Sequence, residues 1–351
     1  MVLLLDNDVT ERVLDMADAV PVIEDAFTQL GTGNAAFYPL AELVSPTAGA
    51  GDCYTWGSHI GAVRDPPRLA FRFKSDVVRW EESAAGTTRE KFNGEPGTFM
   101  GFVLLFDTTD GTLLAMLNDG VVQHVRVGAT AGVACDHLAR EDATSVGFLG
   151  SGGMAHAYLE AFDAVRDLTE LRVYSPTAEH REAFAREAAE TYDLEATAVD
   201  DPAEAARDVD VLATCTNASQ PVLDPAWLTP GQFVVNVRAI EIPPAALDRF
   251  DRRLATSNEP YETRLFGTPE ERAFLESKFD HGDQTTAFDT LGEVLAGAVP
   301  GRTDDEEVVY FDNRAAGLQF AAVGDLVYRR AVEAGLGTAI PLDWFQQQVK
   351  N

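Results

Sequence analysis

Lysine is nearly missing from this chain. It stands only at Lys74, Lys91, Lys278 and Lys350, and the other 23 of the 27 basic residues are arginine. Positive charge of either kind is outnumbered, 27 basic against 57 acidic residues, for a net charge of −30. That balance argues against nucleic acid or an anionic membrane surface as a partner, because both would be repelled. The acids are spread along the chain and 46% of residues are hydrophobic, so the acidity belongs to a hydrated surface and not to a disordered tail. Self-repulsion at this level strains a compact fold in dilute buffer. In molar salt the Debye length falls to about 3 Å and most of the repulsion is screened. A salt-rich cytoplasm, as in an extreme halophile, is the expected setting.

Cysteine is equally sparse. Cys53, Cys135 and Cys215 are an odd count with no CxxC spacing, which argues against a disulfide framework and fits a reducing interior. The histidines (His59, His124, His137, His156, His180, His281) show neither HxxxH nor HExxH spacing, so no metal site is expected. Apolar runs long enough to span a bilayer are missing, and "MVLLLDND" turns acidic before the apolar stretch of a signal peptide forms. A cytoplasmic protein without membrane contact is expected.

What is present reads as two domains, the prior for 351 residues. The N-terminal third mixes helix and antiparallel strands. Val20, Ile23, Phe27 and Leu30 fall at helical spacing before Gly31. "RLAFRFK" alternates, with Leu69, Phe71 and Phe73 on one face and Ala70, Arg72 and Lys74 on the other. "EESAAGTTREKFNGEPG" is polar and Gly-rich, hence a surface excursion, and "FVLLFDTTDGTLLAML" reads as a hairpin. "GVVQHVRVGATAGVACDHLAR" is a helix of small and apolar residues in which Arg126 is the odd member. From Ser145 the pattern changes to strand–helix alternation, with "SVGFLG", "VDVLATCT" and "QFVVNV" as strands of a parallel sheet. The last segment is expected to rejoin the first domain.

"VGFLGSGGMA" places Gly150, Gly152 and Ala155 in a G-x-G-x-x-A pattern between a strand and a helix, so the loop Gly150, Ser151, Gly152, Gly153, Met154 and Ala155 is a candidate pyrophosphate cradle. The first glycine permits the tight turn, the second lets phosphate approach, and the small third residue packs helix on strand. The next strand ends "VYSPT". A carboxylate there would bind the ribose hydroxyls of NAD and repel a 2′-phosphate. Ser175 stands in its place, with Thr177, His180 and Arg181 beyond, so NAD(P) is expected with a lean to NADP. The alternative for Thr177 is a plain N-cap.

Lys74 shares a strand face with Arg72. A solvated polar face is the ordinary fate of such residues. A chain that writes arginine almost everywhere nevertheless has a reason to choose a compact, titratable ammonium here. Arg126 needs an anion if buried: a substrate carboxylate, a cofactor phosphate or a structural acid. "VVNVRAIE" brings Glu241 towards the carboxyl edge of the sheet, where such folds place chemistry.

Together, "AFRFKSD", "NDGVVQHVRVGATAGVACDHLAR", "VGFLGSGGMA", "CTNASQPVLDPAWLTPGQFVVNV" and "GLGTAIPLDWF" resemble the ornithine cyclodeaminase/mu-crystallin family over nearly the whole chain. The resemblance implies a Rossmann-type doubly wound α/β sheet plus an α+β dimerisation and substrate domain built from both chain ends. The expected division is a substrate/dimerisation domain over 1–122, to which 313–351 returns, and a dinucleotide-binding domain over 123–312. It implies a homodimer that acts on an amino or cyclic imino acid. By the same resemblance Lys74 is the active-site lysine, Arg126 binds the substrate carboxylate, Thr216 and Asn217 flank the nicotinamide, and Glu241 stands at the catalytic carboxylate; Arg72, on the strand face of Lys74, is a second candidate for the substrate carboxylate. Two positions depart from the family pattern. Glu241 replaces an aspartate, and Leu40 stands where many members carry an arginine. The expected activity is an NAD(P)-dependent oxidoreductase at a C–N bond. Ornithine cyclodeamination is one alternative, and a crystallin-like ligand-binding protein without turnover is another.

Overall fold

The computed structural model describes residues 1–47, 51–83, 86–278 and 287–347, so His281 and Lys350 lie outside the described residues. From the N-terminus the chain runs Val2–Leu5 (β1), Asn7–Val13 (α1), Met16–Gly31 (α2), Ala35–Pro46 (β2), Cys53–Val63 (β3) and Arg68–Ser83 (β4). Next come Gly86–Asn93 (β5), Glu95–Pro96 (β6), Gly101–Asp107 (β7), Leu113–Asn118 (β8) and Gly120–Leu138 (α3). The alternating part holds Ser145–Leu149 (β9), Gly153–Asp163 (α4), Glu170–Tyr174 (β10), Ala178–Thr191 (α5), Glu195–Ala198 (β11), Pro202–Ala206 (α6), Val211–Thr214 (β12) and Phe233–Asn236 (β13). It is followed by Pro244–Leu247 (α7), Arg252–Ala255 (β14), Glu262–Leu265 (β15), Pro269–Lys278 (α8), Asp289–Thr290 (β16), Leu291–Leu295 (α9), Val309–Asp312 (β17), Leu318–Ala334 (α10) and Thr338–Ile340 (β18).

The short apolar strands build one sheet in the order β11-β10-β9-β12-β13-β17-β14-β16, with every pairing parallel. All four residues of β12, β13 and β17 are buried, which is why these strands read as continuous apolar runs and not as alternating ones. From β9 the chain winds outwards through β10 and β11, then crosses to β12 on the other flank of β9. The order therefore reverses between β9 and β12, and a crevice opens at their carboxyl ends.

The second sheet runs β15-β2-β3-β4-β7-β8-β1-β18, with β5 on β4 and β6 on β5. Helices α2 and α10 cover one face, burying Ala70, Val103, Leu105 and Ala115 against Ile23, Phe27, Phe320 and Val323. Helix α3 packs on both α2 and α4 through its small residues, and so ties the two sheets together. Near the chain end, β18 pairs with β1 and α10 packs on β3 and β4. No helix of the described residues is long and apolar enough to cross a membrane.

Three details differ from the expectations. The strand β15 lies within 123–312 yet pairs with β2, so that segment is not wholly part of the parallel sheet. The excursion after residue 80 is not a loose surface loop: β5 pairs antiparallel with the far half of β4 and folds over the site described below. Strand β4 alternates as expected, but its charged face is the inner one. Ala70, Arg72, Lys74, Asp76 and Val78 are buried, whereas Leu69, Phe71 and Phe73 are half-exposed. Alternation says which residues share a face, and not which face the helices cover.

Candidate active site

The turn from β9 into α4 is set by Gly150. Its φ of +109° is open to glycine alone, and a Cβ there would collide with the Cys215 carbonyl oxygen. Gly152 is the N-cap of α4 and has open space where a Cβ would lie, so the helix amides face a groove of about 840 Å³. The groove wall includes Gly150, Ser151, Gly152, Gly153, Met154, Ser175, Thr177, His180, Thr216 and Asn217. Ala155 lies buried beneath the loop. No carboxylate stands among the described groove-lining residues, although the chain has 57. Thr177 is the N-cap of α5 but makes no side-chain capping bond, so its hydroxyl remains available to the groove. These features fit a dinucleotide.

A second cavity, of about 610 Å³, meets the groove at His124, Thr216, Asn217 and Val237. Its wall carries Lys74, Arg89, Lys91, Arg238 and Arg314 against Glu42, Glu90 and Asp312. Lys74 Nζ donates to Glu42 Oε1 at 2.9 Å, and both residues are buried. Gly57, the register partner of Lys74 on β3, makes room for this side chain, since a Cβ there would lie 2.6 Å from Lys74 Cε. Arg314 Nε donates to Asp312 Oδ2 at 2.6 Å. Asn217 Nδ2 donates to Glu90 Oε1 at 2.6 Å, which ties β5 to the nucleotide side. His124 Nδ1 lies 2.9 Å from the Gly120 carbonyl and carries the proton of that bond, with Nε2 directed at Gly153.

Behind Lys74 lies a buried layer. Arg72 Nε donates to Asp119 Oδ2 at 2.6 Å, and the Arg72 and Arg126 guanidinium groups lie 5.6 and 4.8 Å from the Phe320 ring centroid. Arg126 donates to Gln319 and Gln123 at 2.8 and 2.9 Å, and has no carboxylate partner among the described residues. His59 Nε2, Asp119 Oδ1 and Arg126 Nε are buried there without a hydrogen-bond partner among the described residues. Burial, with repulsion from Arg72, Arg126 and Lys74, keeps His59 neutral well below its usual range.

The family model for the ornithine cyclodeaminase/mu-crystallin family matches residues 2–335. The chain belongs to this family. Its sequence is 31% identical over 253 residues to the Delta(1)-pyrroline-2-carboxylate reductase of Bacillus cereus, covering 69% of this chain and 74% of that one. It is 26% identical to the alanine dehydrogenase of Archaeoglobus fulgidus over 96% of this chain and 98% of that one. The Delta(1)-pyrroline-2-carboxylate reductase of Thermococcus litoralis, solved with NADH and L-proline, shares the fold with a TM-score of 0.78, at 23% identity over 97% of this chain and 100% of that one.

Within this family frame the residues expected from sequence fall into three groups. The loop at 150–155, Ser175, Thr177, Thr216 and Asn217 are gathered along one groove, and Lys74 reaches the adjoining cavity. Arg72 and Arg126 do not line the cavity, and Asp119 already neutralises Arg72, which removes Arg72 as a ready carboxylate ligand. Arg181 does not line the groove either. Its guanidinium bridges the Ser175 carbonyl, at 2.9 Å, and Asp200. Glu241 departs furthest from its expected role. It is fully buried and accepts hydrogen bonds from Thr216 N (2.6 Å), Thr216 Oγ1 (2.7 Å), Arg238 N (2.9 Å), Thr214 Oγ1 and Val237 N (both 3.1 Å). Burial raises its proton affinity above the ordinary carboxylate value, and the Thr216 and Arg238 bonds offset this only in part. A carboxylate so bonded braces the Thr216 loop against the Val237–Arg238 turn and does not line the cavity. Glu42, Arg89, Lys91, Arg238 and Arg314 went unnoticed in the sequence. Only Lys91 carried a signal, the same rarity that marks Lys74.

Proposed function

We propose that this protein is an NAD(P)-dependent oxidoreductase acting at the C–N bond of an L-amino acid or cyclic imino acid. The observation that carries the proposal is the buried Lys74–Glu42 pair on a cavity that opens into the dinucleotide groove at Thr216 and Asn217. When bound, the nicotinamide supplies or accepts the hydride. In the reductive direction the C=N carbon takes the hydride and the nitrogen a proton. Lys74 is the donor of that proton, and Glu42 holds its ammonium in place. Arg126, buried behind the cavity wall with no carboxylate partner among the described residues, is the cation that would receive the substrate carboxylate once its Gln319 and Gln123 bonds open towards the cavity. The relatives named as a pyrroline-2-carboxylate reductase and an alanine dehydrogenase support this class of reaction.

NADP(H) is accepted at least as well as NAD(H) in this proposal, because no carboxylate among the described groove residues would repel a 2′-phosphate. The half-exposed apolar face of β4 and β7, with Phe71, Phe73 and Phe102 in ring contact at 6.0 and 5.9 Å, supports a homodimer. Three buried free cysteines support a reducing, cytoplasmic setting. The charge of −30 supports a halophilic one, in which the melting temperature rises from dilute buffer to molar KCl. An unchanged melting temperature across that titration contradicts the halophilic setting.

A spectrophotometric screen of amino acids and cyclic imines with both cofactors tests the reaction. Net cofactor oxidation or reduction is expected. Conversion of ornithine to proline without net cofactor change would establish the cyclodeaminase alternative, against which Leu40 on the cavity wall removes one expected arginine. Binding without turnover would establish the crystallin-like one.

A further inference from the structure

The loop after β12 is held by partners from both sheets. From its own side, Glu241 accepts from Thr216 N and Thr216 Oγ1 at 2.6 and 2.7 Å, and Arg238 donates to the Ala218 carbonyl at 2.7 Å. The other partner is β5, a strand of the second sheet. Arg89 N donates to the Asn217 carbonyl at 3.0 Å, and Ser219 N donates to the Thr87 carbonyl at 2.8 Å. Between these two bonds Thr88 stands opposite Ala218 in an antiparallel bridge. Thr87 N also donates to Gln220 Oε1 at 3.3 Å. A bond between side chains completes the clasp, from Asn217 Nδ2 to Glu90 Oε1 at 2.6 Å.

The clasp lies where groove and cavity meet. Thr216 and Asn217 are on the walls of both, Thr88 is on the groove wall and Glu90 on the cavity wall. No residue of β5 is fully buried, and none contributes to the apolar cores. Polar bonds hold the strand, so single bonds decide how firmly it grips the loop. An ionised carboxylate only accepts, so Glu90 faces the Nδ2 end of Asn217 and fixes which way the amide points. Asn217 Oδ1 makes no hydrogen bond among the described residues and is the end left for a ligand. We propose that Glu90 is a positioning residue of the reaction, which holds Asn217 and its loop in one orientation and so couples a bound cofactor to the cavity through β5; this rests on the C–N oxidoreductase reading above. Glu90 acts through Asn217 and exchanges no proton with the substrate. Its loss should show in turnover before it shows in cofactor affinity, because the amides of α4 that face the groove are untouched.

The test is a double-variant cycle on the full chain at one fixed KCl concentration, with Glu90→Ala, Asn217→Ala, both together, and Glu90→Gln. Steady-state kinetics use the substrate that the spectrophotometric screen identifies. Glu90→Ala should lower kcat about tenfold, the low end for a hydrogen bond to a charged group, with the dissociation constant of the reduced cofactor near that of the wild type. Glu90 is half-exposed, so the variants are expected to melt like the wild type. Removing Glu90 should cost nothing further once Asn217 is alanine. Glu90→Gln keeps an acceptor and should recover most of kcat, whereas a charge or proton role would be lost in both variants. Hydrogen exchange needs no turnover. The reduced cofactor should slow exchange over residues 86–93 of the wild type by at least about fivefold, the low end for coupling between sites, and leave Glu90→Ala unaffected. Normal kcat in Glu90→Ala, additive losses in the cycle, Glu90→Gln as slow as Glu90→Ala, or equal cofactor protection in both proteins would each overturn the inference and leave the proposed reaction standing. Absence of turnover in the wild type with every substrate and both cofactors overturns the proposed reaction itself, and the exchange measurement then decides alone whether Glu90 couples the two sites.

Discussion

The groove and the cavity share four residues and are built in opposite ways. The described groove wall has no carboxylate and no lysine or arginine, and it offers backbone amides at the start of α4 and the open glycine at 152. The cavity wall gathers eight such charged groups, from β2, β4, β5, the turn after β13 and the end of β17. One site reads its ligand by shape and backbone dipole, the other by charge and proton affinity. The consequence is a division of labour. Changes in the groove should alter cofactor affinity, and changes in the cavity should alter turnover and substrate choice.

The most severe break of this comparison is Gly150→Ala. A non-glycine residue held at that angle costs about 1–3 kcal/mol, and the collision with the Cys215 carbonyl adds to it. Reduced-cofactor fluorescence should show an affinity loss of at least about tenfold, since each ~1.4 kcal/mol is a factor of ten. Saturable binding at wild-type affinity would mean that the loop is not the cradle.

Solution pH should separate the two regions next. Repulsion from Lys74, with desolvation, Arg89 and Arg72 adding to it and Asp76 opposing it, lowers the Lys91 amine to about 7. It is charged below that pH and neutral above it. Binding of an anion such as succinate should therefore be strongest below about 7 and weaken as pH rises through it, by up to about tenfold per pH unit. Calorimetric titration checks this, with Lys91→Met as the variant in which the dependence flattens. A profile that Lys91→Met leaves unchanged would assign the titration to another group.

A smaller effect is expected of Ser175→Asp at the end of β10. Like-charge repulsion should weaken NADP(H) by at least about fivefold, the value of a close pair in bulk water, while the ribose hydroxyls of NAD(H) gain an acceptor. Titrating both reduced cofactors at one salt concentration gives the ratio. No change in that ratio would place the adenosine ribose elsewhere.

The groove was largely legible in the sequence because it is local. Residues 149–155 form one continuous strand–turn–helix, and the glycine spacing directly encodes the backbone angles the turn needs. The cavity was not legible, because its charges come together only when β5 folds back on β4 and the turn after β13 faces them. Lys91 sat in a polar, Gly-rich stretch that looked like a loop. Glu241 was placed correctly at the sheet edge, yet nothing in its neighbours foretold that Thr214 and Thr216 would draw it inward. The face of β4 was read as far as period two allows, and the choice of the buried side was made by α2 and α10, distant in sequence.

The division between groove and cavity is tested most directly by Lys74→Arg. The variant keeps a positive charge beside Glu42 and replaces a compact, titratable ammonium with a wide, permanently charged fork. Steady-state kinetics and cofactor titration on the same preparation are the measurement. The account predicts that kcat falls at least about tenfold, towards the hundredfold that loss of acid–base help costs, with the dissociation constant of the reduced cofactor unchanged. Normal turnover in Lys74→Arg, or a loss of cofactor affinity that matches the loss of turnover, would contradict it.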